Sequence, residues 1–217
     1  MTTAVCFDLD GTVVQLTKPY DSLLGAAFEA CLGQVDPAWT AHYNERFFEY
    51  FEAIDSDPYR QAMVDVCREF DLSADPATLT DERLKREYAA TAATDARDVV
   101  ATLADRHPLG LITNGVGRVQ REKLDRTGLG DLFDAVVVSY DVGVHKPNQR
   151  IFDAARDRLD ADRYVMVGDD HASDIVGARE AGFEAVHIQS DEGDNGSERP
   201  TTENASLELL SDLNRSH

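Results

Sequence analysis

"AVCFDLDGTVV", Ala4–Val14, decides the fold. An apolar run that ends at a glycine turn reads as a strand buried on both faces. Such strands belong to parallel sheets covered by helices. This run closes on two carboxylates, Asp8 and Asp10, followed by Gly11 and Thr12. Two carboxylates together at a buried strand end repel each other and are costly to desolvate. The rest of the chain has to supply something that compensates.

Downstream of this strand the pattern is helical. Residues from about 17 to 93 carry apolar positions at helical spacing, with a glycine stop at Gly33 and Asp-Pro starts at 36–37 and 57–58. Trp39, Tyr43, Phe47, Tyr50 and Ile54 form one stripe. Its spacing suits either packing within this segment or stacking on a base, and packing is the commoner use of such a stripe. Near Asp95 the pattern changes. "DARDVVATLADR" reads as a helix, "LGLITNG" as a strand, "GRVQREKLDRTGLG" as a helix and "FDAVVVSYD" as a strand. "PNQRIFDAARDRL" reads as a helix, "RYVMVGDD" as a strand, "ASDIVGAREAGF" as a helix and "EAVHI" as a strand. Strands that alternate with helices, joined by right-handed crossovers, make an α/β fold with a doubly wound parallel sheet. The expected division is a core of residues 1–16 and 94–190, an inserted all-helical cap of residues 17–93, and an acidic tail, 191–217, with one short helix near Ser206–Leu213.

The bulk composition narrows the function. The 217 residues hold 42% hydrophobic side chains, enough for a core, and no run of 18 apolar residues that would cross a membrane. The N-terminus lacks the pattern of a signal peptide. Cys6, Cys31 and Cys67 sit at no metal-ligand spacing and read as free thiols in a reducing compartment, so a cytoplasmic protein is expected. The net charge of −20, with four lysines in all, argues against a nucleic-acid partner. It fits a halophilic protein, whose self-repulsion molar salt screens over about 3 Å.

The polar residues fall at strand ends, where open α/β sheets bind ligands. The first strand ends in Asp8-Leu9-Asp10-Gly11-Thr12, the second in Thr113-Asn114-Gly115; the third leads to "SYDVGVHKP" with Lys146; the fourth ends in Gly168-Asp169-Asp170, with Asp174 beyond. The fifth, ending in "HIQS", has no comparable group. Clustered carboxylate oxygens suit Mg²⁺, which takes carboxylates, water and substrate phosphate. The ion would neutralise the crowded acids. Asp8 is then a candidate nucleophile toward phosphorus, and Asp10 a candidate general acid and base. Thr113 and the amide of Asn114 are placed to hold phosphoryl oxygens, and Lys146 to balance charge. Asp174 suits either the cluster or a helix cap. His171 follows two aspartates, a pattern that would suit a transition metal, but no second histidine is placed to help, and a solvent-facing residue near the cleft is the commoner reading. Tyr20 suits either a cleft or a helix start.

"DLDGT", "ITNG", "HKP" and "GDDHASD" resemble, in order, the four motifs of the haloacid dehalogenase superfamily. The resemblance runs from Val5 to Ile188. It implies a core sheet of order 5-4-1-2-3 with a helical cap inserted after the first motif. It implies Asp8 as nucleophile and Asp10 as general acid/base. It also implies Mg²⁺ held by the Asp8 carboxylate, the Asp10 backbone carbonyl and Asp169, with Asp174 orienting water and Lys146. Asp170 stands where many relatives have a neutral residue. The family's dehalogenases lack the second aspartate, so Asp10 favours phosphoester hydrolysis. A phosphoryl-shifting sugar phosphate mutase and a non-catalytic binding module are the alternatives. The stretch from "LITNGVGRVQREKL" to "VHKPNQRIF" is similar to the branch of pyrimidine nucleotidases and acylneuraminate-9-phosphatases. That implies a small phosphomonoester as partner: a nucleoside monophosphate or sugar phosphate, with phosphoglycolate as competitor. A monomer or homodimer is expected.

Overall fold

The computed structural model describes residues 1–188; the expectations for the tail, its helix included, lie outside the described residues. The chain divides into two compact units. Among the described residues, one comprises Met1–Val14, Ala93–Gln120 and 128–188; the other comprises Gln15–Ala92 with Arg121–Thr127.

The first unit is built on five parallel strands: β1 (Thr3–Phe7), β4 (Leu109–Thr113), β5 (Ala135–Val138), β6 (Arg163–Gly168) and β7 (Glu184–His187). The spatial order is β5-β4-β1-β6-β7. Counted along the chain and read from the β7 edge, these five run 5-4-1-2-3, as the resemblance implies. β1 lies between β4 and β6, with Val5 opposite Leu109 on one side and Val165 on the other. All five of its residues are buried. Ala4 and Cys6 face a core with Ile112, Val137, Phe152 and Met166, because successive strand residues alternate between sheet faces. The order reverses at β1, so the crevice at its carboxyl end is the point where such sheets bind ligands.

Helices α5 (Ala96–Ala104), α6 (Gly117–Thr127), α7 (Ser139–Val142), α8 (Gln149–Arg156) and α9 (Gly177–Glu180) connect these strands. Two expectations from the sequence are corrected here. The strand read as "FDAVVVSYD" stops at Val138; Ser139–Val142 turn helically and close on Gly143, whose N–H bonds to the Ser139 carbonyl at 2.8 Å. "ASDIVGAREAGF" is not α-helical from its start. It opens with a π-helical turn, His171–Val176, capped by Asp170, before α9.

The second unit holds the four expected helices: α1 (Tyr20–Leu32), α2 (Pro37–Glu52), α3 (Pro58–Glu69) and α4 (Pro76–Ala90). The last three start alike. Asp36, Asp57 and Asp75 each accept a hydrogen bond from a first-turn N–H, and a proline follows each where no N–H is needed. Gly33 ends α1 at φ 70°. Leu24, Phe28, Trp39, Tyr43, Met63, Val66 and Leu79 form this unit's core. The Phe28 and Trp39 rings meet edge to face at 5.5 Å. The head of the aromatic stripe is thus internal packing. One reading needs correction: Thr91–Ala93 is not helical but forms a strand, β3, paired with β2 (Val14–Leu16).

The sequence reading missed a buried charge cluster in this unit. Glu87 accepts from Arg83 NH1 at 2.7 Å, Lys123 Nζ at 3.0 Å and the Tyr20 hydroxyl at 2.9 Å. Burial would raise the Glu87 pKa, but Lys123 and Arg83 override it and hold the carboxyl below its ordinary value. Tyr20 is therefore fixed by this cluster.

The three cysteines are free. Burial pushes the Cys6 thiol up to about 12, so it packs as a small apolar side chain. Among the described residues, no helix is long and apolar enough to cross a membrane.

Candidate active site

The carboxyl ends of β1, β4 and β6 and the loop after α7 bring Asp8, Asp10, Thr113, Asn114, Lys146, Asp169, Asp170, Ser173 and Asp174 around one cavity of about 210 Å³. Every residue of the expected site lines it. Asp8 is the first residue past β1, and its N–H donates to the Val167 carbonyl of β6 at 2.9 Å. The sheet ladder therefore carries this aspartate to the edge of the crevice.

Lys146 ties the acids together. Its Nζ donates to Asp8 Oδ1 at 2.5 Å, to Asp174 Oδ1 at 2.6 Å and to the Ile112 carbonyl at 2.8 Å. All three ammonium protons are used, and the residue is 4% exposed. Burial alone would lower its pKa, but the Asp8 and Asp174 carboxylates outweigh that and raise it. Asn114 sets the lysine's place. Its Oδ1 accepts from the Lys146 N–H at 2.7 Å, and its Nδ2 donates to the Lys146 carbonyl at 3.1 Å. The Asn114 side chain is thereby committed to the loop, a use that the sequence reading did not foresee.

Asp8, Asp169 and Asp174 each offer an oxygen within 4.8 Å of the others. One ammonium faces five carboxylates around the cavity. Burial, and then the charges of Asp174 and Asp10, lift the Asp8 pKa to about 7 against the pull of Lys146. Burial also raises Asp169. Hard oxygen donors with an excess of negative charge fit a divalent cation such as Mg²⁺. The backbone fits as well. Gly11 sits at φ 90°, and a Cβ there would lie 2.3 Å from Asp169 Oδ2, so a side chain at this turn would displace that carboxylate.

The roles of Asp170 and Asp174 separate. Asp170 Oδ1 accepts from the Ser173 N–H at 2.7 Å and caps the turn; that bond holds its pKa below the ordinary value. Asp174 binds Lys146 with one oxygen and the Asp170 N–H, at 3.2 Å, with the other.

Three further residues contact the site. Thr12 donates to Asp169 Oδ1 at 3.1 Å. Gln120, in α6, donates to Asp10 Oδ2 at 2.8 Å. His187, at the end of β7, bonds the Asp169 carbonyl at 2.9 Å, and its ring lies 5.7 Å from that of His171. The fifth strand end therefore does contribute a group, and a second histidine does stand beside His171, contrary to the sequence reading. Thr12 and His187 were open to detection by their strand-end positions. Gln120 carried no signal, because an amide on a helix is ordinary.

Comparison with known proteins places this arrangement. The chain is 45% identical over 93 residues, 39% of its length and 41% of the relative's, to pyrimidine 5'-nucleotidase YjjG of Escherichia coli. It spans between 33% and 42% of the length of the curated relatives it matches at 41% identity or above. Among solved structures, a HAD phosphatase from Thermococcus onnurineus is 29% identical with a TM-score of 0.59, covering 93% of this chain and 92% of its own. A 2-haloacid dehalogenase from Pseudomonas syringae pv. Tomato is 25% identical with a TM-score of 0.69, covering 98% and 99%. The model of the haloacid dehalogenase-like hydrolases matches residues 2–182, which take in every described strand but β7 and every acidic residue of the cavity. The chain belongs to the haloacid dehalogenase-like hydrolase family.

Proposed function

We propose that the protein is a Mg²⁺-dependent phosphatase that hydrolyses a small phosphomonoester through an aspartyl-phosphate. One observation carries the reading: Asp8 sits beside Lys146 at the end of β1, with Asp10 two residues on and Asp169 within reach. Phosphatase relatives and the full acidic cluster support it. The presence of Asp10 weighs against dehalogenation, although a dehalogenase is among the structural neighbours.

Mg²⁺ would be held by the Asp8 carboxylate, the Asp10 backbone carbonyl and Asp169, and would there neutralise the acids and draw charge from the phosphoryl oxygens. Lys146 fixes Asp8 Oδ1 and leaves Oδ2 to attack phosphorus. As the P–O bond to the leaving group breaks, Asp10 delivers its proton to the departing oxygen. The Thr113 hydroxyl and the Asn114 backbone N–H hold phosphoryl oxygens. In the second half Asp10 takes a proton from water, the water oxygen bonds to phosphorus, and Asp8 leaves with its carboxylate restored. Asp174 keeps Lys146 in place throughout.

The cavity of about 210 Å³ lies below the roughly 300–1,000 Å³ of pockets for drug-sized ligands, which supports a small phosphomonoester. The substrate we favour is a nucleoside monophosphate or sugar phosphate, with phosphoglycolate next. The same reading takes the protein as a cytoplasmic, halophilic monomer or homodimer without a nucleic-acid or membrane partner; the charge of −20 supports it. A phosphatase screen with and without Mg²⁺ over these three substrate classes tests the assignment. Asp8→Asn should abolish turnover in a folded protein. Turnover at the parent rate in that variant overturns the choice of nucleophile.

A further inference from the structure

Gln120 is 2% exposed, one helical turn into α6, and its side-chain amide points at the site. Nε2 donates to Asp10 Oδ2 at 2.8 Å and to Thr113 Oγ1 at 2.8 Å, with the Asn114 carbonyl farther off at 3.3 Å. An NH₂ group has two protons, so the two short bonds use both. The fold reserves space for this contact. A Cβ on Gly115 would lie 2.7 Å from the Gln120 side chain, so the turn after β4 admits only glycine while Gln120 keeps its seat.

We propose that Gln120 is a positioning residue that couples the general acid/base to the phosphoryl-holding hydroxyl; this rests on the phosphatase reading above. By occupying Asp10 Oδ2 it confines the transferable proton to Oδ1. The amide is a donor with no transferable proton of its own, so its bond at Oδ2 fixes the orientation of the Asp10 carboxyl without competing for the proton that Asp10 passes on. The second bond makes Thr113 Oγ1 an acceptor, which turns its own hydroxyl proton away from Gln120. The remaining acceptor for that proton, the Asn114 carbonyl, lies at 3.4 Å, a long contact. The hydroxyl is therefore ready to donate to a phosphoryl oxygen. Gln120 itself exchanges no proton and touches no reacting atom.

The test uses the dependence on leaving group. An alkyl phosphate needs its departing oxygen protonated; p-nitrophenyl phosphate releases p-nitrophenolate, a stable anion, and does not. The quantity read is kcat/KM, which reports the first chemical half and excludes hydrolysis of the aspartyl-phosphate. In Gln120→Met, which keeps the volume and loses both bonds, kcat/KM should fall about 100-fold for an alkyl phosphate and less than about 10-fold for p-nitrophenyl phosphate. If Gln120→Met does not fold, Gly115→Ala serves instead, because its new methyl displaces the amide, and the same selectivity is expected. A fall by the same factor on both substrates, or no fall, overturns the inference and leaves the phosphatase reading standing. A parent protein with no activity on either ester, with Mg²⁺ present, overturns both.

Discussion

The substitution Glu87→Gln tests the buried charge cluster of the second unit. Glu87 is fully buried and faces two cations, Arg83 and Lys123, at 2.7 and 3.0 Å. With the carboxylate the cluster carries a net charge of +1; without it, +2. A glutamine amide accepts from one cation with its oxygen and must turn its NH₂ toward the other donor. Breaking a buried ion pair by removing one partner costs about 3–5 kcal/mol. Lys123→Met is the control, because it leaves Arg83 and Glu87 as a neutral pair; its cost should be smaller, about 1–2 kcal/mol. Trp39, the one tryptophan of the chain, lies in this unit's core, so its fluorescence during urea unfolding reads the right cluster. The effect should also depend on pH. Because the folded pKa of Glu87 is depressed, its stabilisation is present above its ordinary 4.5 and is lost as pH falls through the folded value. The gap between parent and Glu87→Gln should therefore be constant near neutrality and close in acid. A Lys123→Met variant as unstable as Glu87→Gln, or a gap unchanged by pH, would refute the charge argument.

Lys146→Met removes the counter-charge from Asp8 and Asp174 and should destabilise the first unit by about 3–5 kcal/mol at pH 8, besides stopping turnover; equal melting temperatures of variant and parent would contradict the geometry. Mg²⁺ at about 100 times its dissociation constant should stabilise the parent by about 2.7 kcal/mol, an effect that chelator reverses, and Asp169→Asn should weaken it. No shift of the parent's melting temperature at saturating Mg²⁺ would count against the metal. Burial and neighbouring acids lift the Asp8 carboxyl to about 7, so in metal-free buffer the parent should lose stability as pH rises through 7, and Asp8→Asn should not show that loss. Activity and fold should hold in molar KCl, where distant repulsion among the acidic side chains is screened; unfolding on addition of salt would remove the halophilic reading.

Much of this molecule was legible in its residues because strand ends and helix starts use few residue types. Asp-Pro pairs marked two of the three helix starts they occupy, and the third, at Asp75-Pro76, obeys the same rule unremarked. The limits of β5 and of the turn before α9 were misread. "VVVSYD" and "ASDIVGARE" are locally compatible with longer regular elements, and only the tertiary setting ended the one and widened the other. Gln120 and the double use of the Asn114 side chain escaped for a related reason. Amides are common on any surface, and nothing local tells which of them will be buried against a carboxylate or a loop backbone.

The sequence by itself determined the alternation that makes the sheet, the insertion after the first strand, and the presence of Asp8, Asp10, Thr113, Lys146 and Asp169 at strand ends, because period and turn chemistry act over a few residues. The tertiary structure alone decided which oxygens face one another. It set Lys146 between Asp8 and Asp174, Asp170 on its cap, His187 behind Asp169, and Glu87 between two cations. Those pairings join residues far apart in the chain, and their energies depend on burial, a property that no short segment possesses before the sheet has closed around it.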